Sequence, residues 1–378
     1  MDKSNFTKRN KTAEKPKHWV RLTYICNNNC IFCLDKENQG GTFVPLEEVK
    51  KELERGRNLK IKKLILSGGE PTLHPDYLEI IKFAKKIGYQ EIQTITNGRL
   101  FAYKNFLDKA ATNGLTEITF SIHGHTKNLY EKQSGIKGSF EQALTGLVNA
   151  LKSKKLIINI DIVINKTNYK YLEKIMEFFI NLGVKEFDLL QIIPFGAAWH
   201  NKNKIFYDLK KAAPYFSKAF SLQRKYPDIY IWTNRFPPQY LEGFEELIQH
   251  PIKLHDEIRG RKKMFDEFLG KDVLMNCFGQ KCSYCFIKNF CKDLIELKKN
   301  KKIKSRKIAY CLDNKYEFKG KEFIPAGKIN LKKFLDFYIE NRYFIKSLRC
   351  QTCKQTKKCD GAPINLIRKE KFKILKRI

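Results

Sequence analysis

The chain has 378 residues, 42% of them hydrophobic, which is enough to bury one large core or two moderate ones. It contains no apolar run near the roughly 20 residues of a membrane span, and the opening stretch MDKSNFTKRNKTAEKPK has no secretion-type apolar segment, so a cytoplasmic protein without a spanning helix is expected. The formal net charge is +33, a balance that suits nucleic acid or an acidic peptide, although lysines spread along the whole chain equally fit a general compositional bias.

Residues 1–17 read as a basic, flexible arm. From residue 18 to about 225, short apolar runs alternate with amphipathic segments. The expected strands are HWVRLTYI (18–25), KKLILSG (62–68), EIQTITN (91–97), EITFSIH (117–123), LIINIDIVI (156–164) and EFDLLQII (186–193). Between them lie helical patterns such as VPLEEVKKELERG and DYLEIIKFAKKIG, several ending at glycine as helices do. Strands alternating with helices build a parallel sheet through right-handed crossovers. An open doubly wound sheet concentrates function at one switch point, whereas a barrel distributes it over every C-terminal strand end. Here the unusual residues follow strand after strand: Cys26, then Gly68-Gly69-Glu70, then Asn97-Gly98, then His123-Gly124-His125. The expected fold is therefore α/β, a partial (β/α)6 barrel over 18–239 followed by a small cysteine-rich domain over 240–378.

Eleven cysteines fall in clusters, with none between Cys33 and Cys277. In a chain with no visible signal peptide this layout favours metal or cluster binding over disulfides. Cys26, Cys30 and Cys33 follow C-x3-C-x2-C, and three thiolates alone leave one coordination position open, as catalytic metal sites do. A structural metal site completed by a distant fourth cysteine is the alternative. The next expected strand runs into LSGGEPTLHPD, residues 66–76.

The cysteine triplet with an aromatic at Phe32, followed by GGEP, resembles the radical S-adenosylmethionine (SAM) superfamily over about residues 18–200. The resemblance implies a [4Fe-4S] cluster on Cys26, Cys30 and Cys33 whose open iron takes the amino and carboxylate groups of SAM. Reductive cleavage then gives methionine and a 5′-deoxyadenosyl radical that abstracts hydrogen from a substrate. It also implies SAM contacts from Phe32, Gly68, Gly69, Glu70, Asn97, Ser121 and Ile193, with Glu70 accepting from the ammonium. Asn159 and Asp161 alternate with isoleucine on the fifth strand, so both face one side. Inside a barrel that side is the lumen, where polar groups need a partner. Relatives with a basic residue on this strand differ from IINIDIVIN, which has none. His123, His125 and His200 are acid–base candidates by position, and structural histidines by default.

The tail repeats one spacing. Cys282, Cys285 and Cys291 form C-x2-C-x5-C, as do Cys350, Cys353 and Cys359, and Cys277 and Cys311 bring the total to eight. Eight ligands suit one or two auxiliary iron–sulfur clusters, or zinc. The pattern resembles the SPASM and twitch extensions of radical SAM peptide maturases, without their usual final x3-C. That resemblance implies a peptide or protein substrate and a reductant such as flavodoxin or ferredoxin. The 25 residues before Cys26 are short for a separate leader-peptide recognition domain. The rival expectations are an RNA-modifying radical SAM enzyme, or a non-catalytic iron–sulfur or zinc protein that binds nucleic acid.

Overall fold

The computed structural model describes residues 15–271, 273–312, 316 and 318–376. The expected basic arm lies outside the described residues as far as residue 14, and Lys17 opens the first strand. The chain divides into two compact units, with the boundary between Asn234 and Arg235.

The first unit is a single parallel sheet whose seven strands lie in sequence order. They are β1 (Lys17–Arg21), β2 (Lys63–Ser67), β3 (Glu91–Thr96), β4 (Glu117–Ser121), β5 (Ile157–Ile164), β6 (Glu186–Gln191) and β7 (Tyr230–Asn234). Sequential order means that no strand reverses the winding, so the crossover helices share one face and the sheet curls as a partial barrel does. Six units were expected and seven strands are present. The extra strand, YIWTN, is short and is cut off by Pro237 and Pro238, which cannot continue a ladder. The contact division at Asn234 lies close to the expected barrel end at 239.

Local sequence explains the helices. The first ones are α1 (Leu46–Asn58), α2 (Tyr77–Lys86) and α3 (Lys104–Asn113), and α2 buries Tyr77, Ile80, Ile81 and Ala84. That is the i, i+3, i+4, i+7 stripe of a helix with one apolar face. Next come α4 (Lys127–Ser134), α5 (Ser139–Lys152), α6 (Leu172–Asn181) and α7 (Leu209–Lys225), with Leu172, Ile175, Met176 and Phe179 making the buried stripe of α6. Strand β2 buries Leu64, Ile65 and Leu66 consecutively, as strands covered on both faces do. Along β5, Ile158, Ile160, Ile162 and Ile164 are buried and alternate with Asn159, Asp161 and Val163, which face the other side.

The second unit is mainly helical: α8 (Leu254–Arg259), α9 (Lys262–Gly270), α10 (Lys288–Asn300), α11 (Leu331–Asn341) and α12 (Ile364–Glu370), with two small antiparallel ribbons. Its core gathers Phe265, Phe290, Leu294, Phe334 and Tyr338, and Cys291 is buried within it. Asp293, 3% exposed, ties this unit together by accepting from Arg342 through both oxygens, at 2.7 and 2.9 Å, and from Arg306 at 3.1 Å. Among the described residues no helix is long and apolar enough to cross a membrane.

Candidate active site and cysteine clusters

Beyond Arg21 the chain leaves the sheet and forms the cysteine loop, held from several directions. Glu70 donates its backbone N–H to the Ile25 carbonyl at 2.7 Å. Asn29 and Ile31 donate theirs to the carbonyls of Ser134 and Gln133 at the end of α4, at 2.8 and 3.0 Å. After β6, Ala197 donates to the Cys33 carbonyl at 2.9 Å, and the Asn201 amide to the Ile31 carbonyl at 2.9 Å. Two glycines permit this closeness. Gly69 has φ +46°, and a Cβ there would stand 2.1 Å from the Ile25 oxygen; Gly196 has φ +55°, and its Cβ would stand 2.4 Å from the Cys33 oxygen.

Burial raises all three thiol pKa values, that of Cys26 to about 11, and the sulfurs act on one another: Cys30 responds to both Cys26 and Cys33. Asn28 donates its backbone N–H to the Cys26 sulfur at 3.4 Å, and the Gln39 amide donates to the Cys33 sulfur at 3.6 Å. Among the described residues no three ligand-type side chains converge on a single metal-holding point. A metal–thiolate centre draws its ligands in as it binds and releases their protons.

The expected SAM-contact residues divide by what their polar atoms already do. Glu70 is buried and fully engaged with the fold: one oxygen accepts from the Thr72 N–H at 3.1 Å and from the Thr72 and Thr96 hydroxyls at 2.6 Å, the other from the Asn97 N–H at 2.7 Å. Burial raises its pKa, and those donors oppose the rise. Asn97 bonds the Asn27 side chain at 2.6 Å, so it clamps the cysteine loop, and Arg99 does the same through the Asn28 amide at 3.1 Å. Phe32 packs with Ile192, Ala198 and Ile205 and meets His123 edge-on, with ring centres 4.7 Å apart. Ile193 is also buried. Gly68, with φ +89°, passes close to Arg21 and Thr23.

The lumen residues of β4 and β5 are different. Ser121 donates to one oxygen of Asp161 at 3.1 Å. The other oxygen of Asp161 and the amide oxygen of Asn159 are both buried and accept from no group. Burial first, and the charge of Asp188 on the adjacent strand second, push the Asp161 pKa up to about 8. Two unfilled acceptors on one barrel wall, with Cys30 in electrostatic reach of Asp161, describe a place for a hydrogen-bond donor.

The three histidines sit in different surroundings, and the Nδ1 of His125 is buried without a hydrogen-bond partner. His123 is buried, accepts the Val163 N–H at 3.1 Å, and has its pKa pushed down to about 3 by burial. His125 lies near the rings of Tyr171 and Phe178, while His200 is exposed beside Glu37 at 3.4 Å. Arg99, Gly196, Ala197 and Asn201 were not singled out from sequence. The stretch PFGAAWHN holding the last three carried a glycine signal, whereas nothing marked Arg99.

Residues 20–179 match the radical SAM superfamily model. The chain carries a radical SAM domain. Two curated relatives are each described as "Probable GTP 3′,8-cyclase". That of Saccharolobus islandicus is 30% identical over 178 residues, 47% of this chain and 57% of its own. That of Sulfurisphaera tokodaii is 31% identical over 178 residues, 56% of its own length. The chain thus spans little more than half of these relatives. Among solved structures, Streptococcus suis SuiB bound to S-adenosylmethionine superposes with TM-score 0.51 at 15% identity, covering 99% of this chain and 79% of that one. SuiB bound to its precursor peptide SuiA gives TM-score 0.51, covering 97% and 76%. At this identity the likeness is one of fold, and it accords with the curled parallel sheet of a radical SAM barrel.

In the second unit the eight cysteines form two electrostatic groups. Cys291 feels Cys277, Cys282 and Cys285, and Cys311 feels Cys350, Cys353 and Cys359. Burial raises the thiols of Cys277, Cys291, Cys311 and Cys350. The second group borders a cavity of about 220 Å³ lined by Cys311, Cys350 and Cys353. One backbone turn recurs: Cys33 donates to the Cys30 carbonyl at 3.1 Å, Cys285 to Cys282 at 3.3 Å, and Cys353 to Cys350 at 3.2 Å. Each C-x2-C thus places its two thiols on one side of a turn.

Proposed function

We propose that this chain is a radical SAM enzyme acting on a peptide or protein, with auxiliary iron–sulfur clusters in its second unit. The carrying observation is the pair of buried, unfilled acceptors on Asn159 and Asp161 of β5, with Asp161 in electrostatic reach of Cys30. Cys26, Cys30 and Cys33 would hold a [4Fe-4S] cluster, and the lumen acceptors fit the donors of SAM. The chemistry such a pair supplies when bound is one-electron cleavage of the sulfonium bond and hydrogen abstraction from a substrate.

The chain's own residues have separable parts in this reading. Asn159 and Asp161 accept from SAM. Gly68, Gly69, Phe32 and Ile193 shape its walls, and Glu70, Asn97 and Ser121 keep those walls in position through the bonds they already make. The apolar walls around the site, Phe32 and Ile193 among them, would help keep water from a bound ligand. Cys277, Cys282, Cys285 and Cys291 would hold one auxiliary cluster, and Cys311, Cys350, Cys353 and Cys359 another.

The peptide reading is supported by the fold likeness to SuiB, which was solved bound to precursor peptide SuiA. The likeness to the cyclases covers 47% of the chain, so their substrate is not carried over. The +33 charge favours RNA as the second reading, and a salt-dependent RNA affinity would support it. Whichever substrate is used, a basic surface suits an acidic electron carrier such as flavodoxin or ferredoxin.

Calorimetric titration of SAM into the iron-loaded chain tests the lumen assignment. Asp161→Asn keeps an acceptor and should bind within a few-fold of the parent. Asp161→Leu should bind about ten- to a hundred-fold more weakly, the value of a hydrogen bond to a charged group. Equal affinity of the Leu variant and the parent contradicts the assignment.

A further inference from the structure

Among the groups around the first auxiliary set, one bond stands apart from packing. Arg261, immediately before α9, donates from Nη1 to the Cys285 sulfur at 3.7 Å. Its side chain is only 12% exposed. Glu257, on α8, fixes the guanidinium from the other side at 3.5 Å while pairing with Arg235 at 2.6 Å. The Phe286 ring lies beneath it, 6.0 Å from centroid to Cζ. Glu257 and Phe286 thus set the direction of the fork, and the direction is toward sulfur.

The surroundings amplify the effect. Cys277 and Cys285 pack against the apolar core that contains Cys291, where electrostatic interactions are screened far less than in water. A guanidinium stays charged at every relevant pH. Near the second set the corresponding cation is directed elsewhere: Arg349 bonds Glu242 at 2.7 Å and the Phe372 carbonyl at 3.0 Å.

We infer that Arg261 tunes the reduction potential of the centre held by Cys277, Cys282, Cys285 and Cys291, making it easier to reduce than it would otherwise be. The inference rests on the auxiliary-cluster reading above. Adding one electron from a low-potential donor increases the negative charge on the cluster and its thiolates, and no bond is made or broken. A fixed cation and an N–H donated to a ligand sulfur both stabilise that more negative state. Arg261 is therefore a positioning and tuning residue, acting through Cys285.

The test is a dithionite redox titration of the full-length, iron-loaded chain, followed by electron paramagnetic resonance. Cys26, Cys30 and Cys33 are changed to Ala to silence the SAM-side cluster. Arg261→Gln should shift the reduction equilibrium of one centre about tenfold toward the oxidised form, about 59 mV for a one-electron couple. Arg261→Lys, which keeps the charge, should recover most of that shift, and the other auxiliary centre should titrate unchanged in both. Identical potentials for Arg261→Gln and its parent, at equal iron content, overturn the inference while leaving the cluster reading intact. Loss of iron from both variants, with nothing left to titrate, marks Arg261 as merely structural and also overturns it. Zinc or no metal at this set in the parent chain overturns the cluster reading and the inference together.

Discussion

His123 illustrates how a residue just beyond a strand end is drawn into the packing around it. It follows β4, and its ring accepts the Val163 N–H and meets the edge of Phe32. The folded pKa is near 3, against an ordinary 6.5. Between those values the unfolded chain binds a proton that the folded chain does not, so this group makes stability rise with pH and lose ground as pH falls through the window. At pH 4.5 the loss from this residue is about 2 to 3 kcal/mol, at 1.36 kcal/mol per unit. His123→Asn retains an acceptor for Val163 and does not titrate. Urea unfolding at pH 7 and pH 4.5 should show a smaller acid loss for the variant, and parallel losses would contradict the burial argument. Glu70 carries a related lesson. Its sequence context points to a ligand, and the four bonds its carboxylate accepts, from Thr72, Thr96 and Asn97, tie the GGEP turn to the end of β3.

At the scale of elements, strong local signals were the legible ones. The alternation along β5 placed Asn159 and Asp161 on the side opposite its buried isoleucines, as the strand shows. What could not be read was decided by distant partners. Strand β7 is five residues long, and it forms because β6 offers a free edge, with Glu186 to Leu190 pairing Tyr230 to Asn234. Arg99 and Asn201 hold the cysteine loop from 72 and 170 residues away, beyond any periodic pattern. Cys311 reaches its three partners only through the fold of the second unit. That unit depends on Asp293 of α10, paired with Arg342 and Arg306 and almost fully buried. Without Asp293, Arg306 keeps Asp360 at 3.1 Å and Arg342 keeps Glu296 at 3.6 Å, so the loss is on the order of 1 to 3 kcal/mol, the cost of charge-assisted bonds lost in a buried site. Asp293→Ala should therefore lower hydrogen-exchange protection in α10 and α11 by about that amount. The exposed pair Lys262–Asp266 is the contrast: Asp266→Ala should change it by less than about 1 kcal/mol. Equal effects from the two variants would contradict the assignment of Asp293 as the tie of this unit.

For the whole molecule, the account joins two kinds of thiol site in one chain. In the proposed reading the triplet of the barrel loop would hold a cluster with one position open for a ligand, and β5 offers two buried acceptors without partners. The eight cysteines of the second unit fall into two sets of four. The basic composition overlies both units without marking either as its purpose: of the +33, a net +17 lies in residues 296–378 and the remainder earlier. The proposed chemistry therefore rests on the barrel loop, and the measurement that tests it most directly is the fate of SAM. Anaerobically loaded, reduced protein should convert SAM to methionine and 5′-deoxyadenosine, while Cys30→Ala prepared in the same way should form neither above background. Equal 5′-deoxyadenosine from the two proteins, or none from the fully iron-loaded parent, would contradict the account.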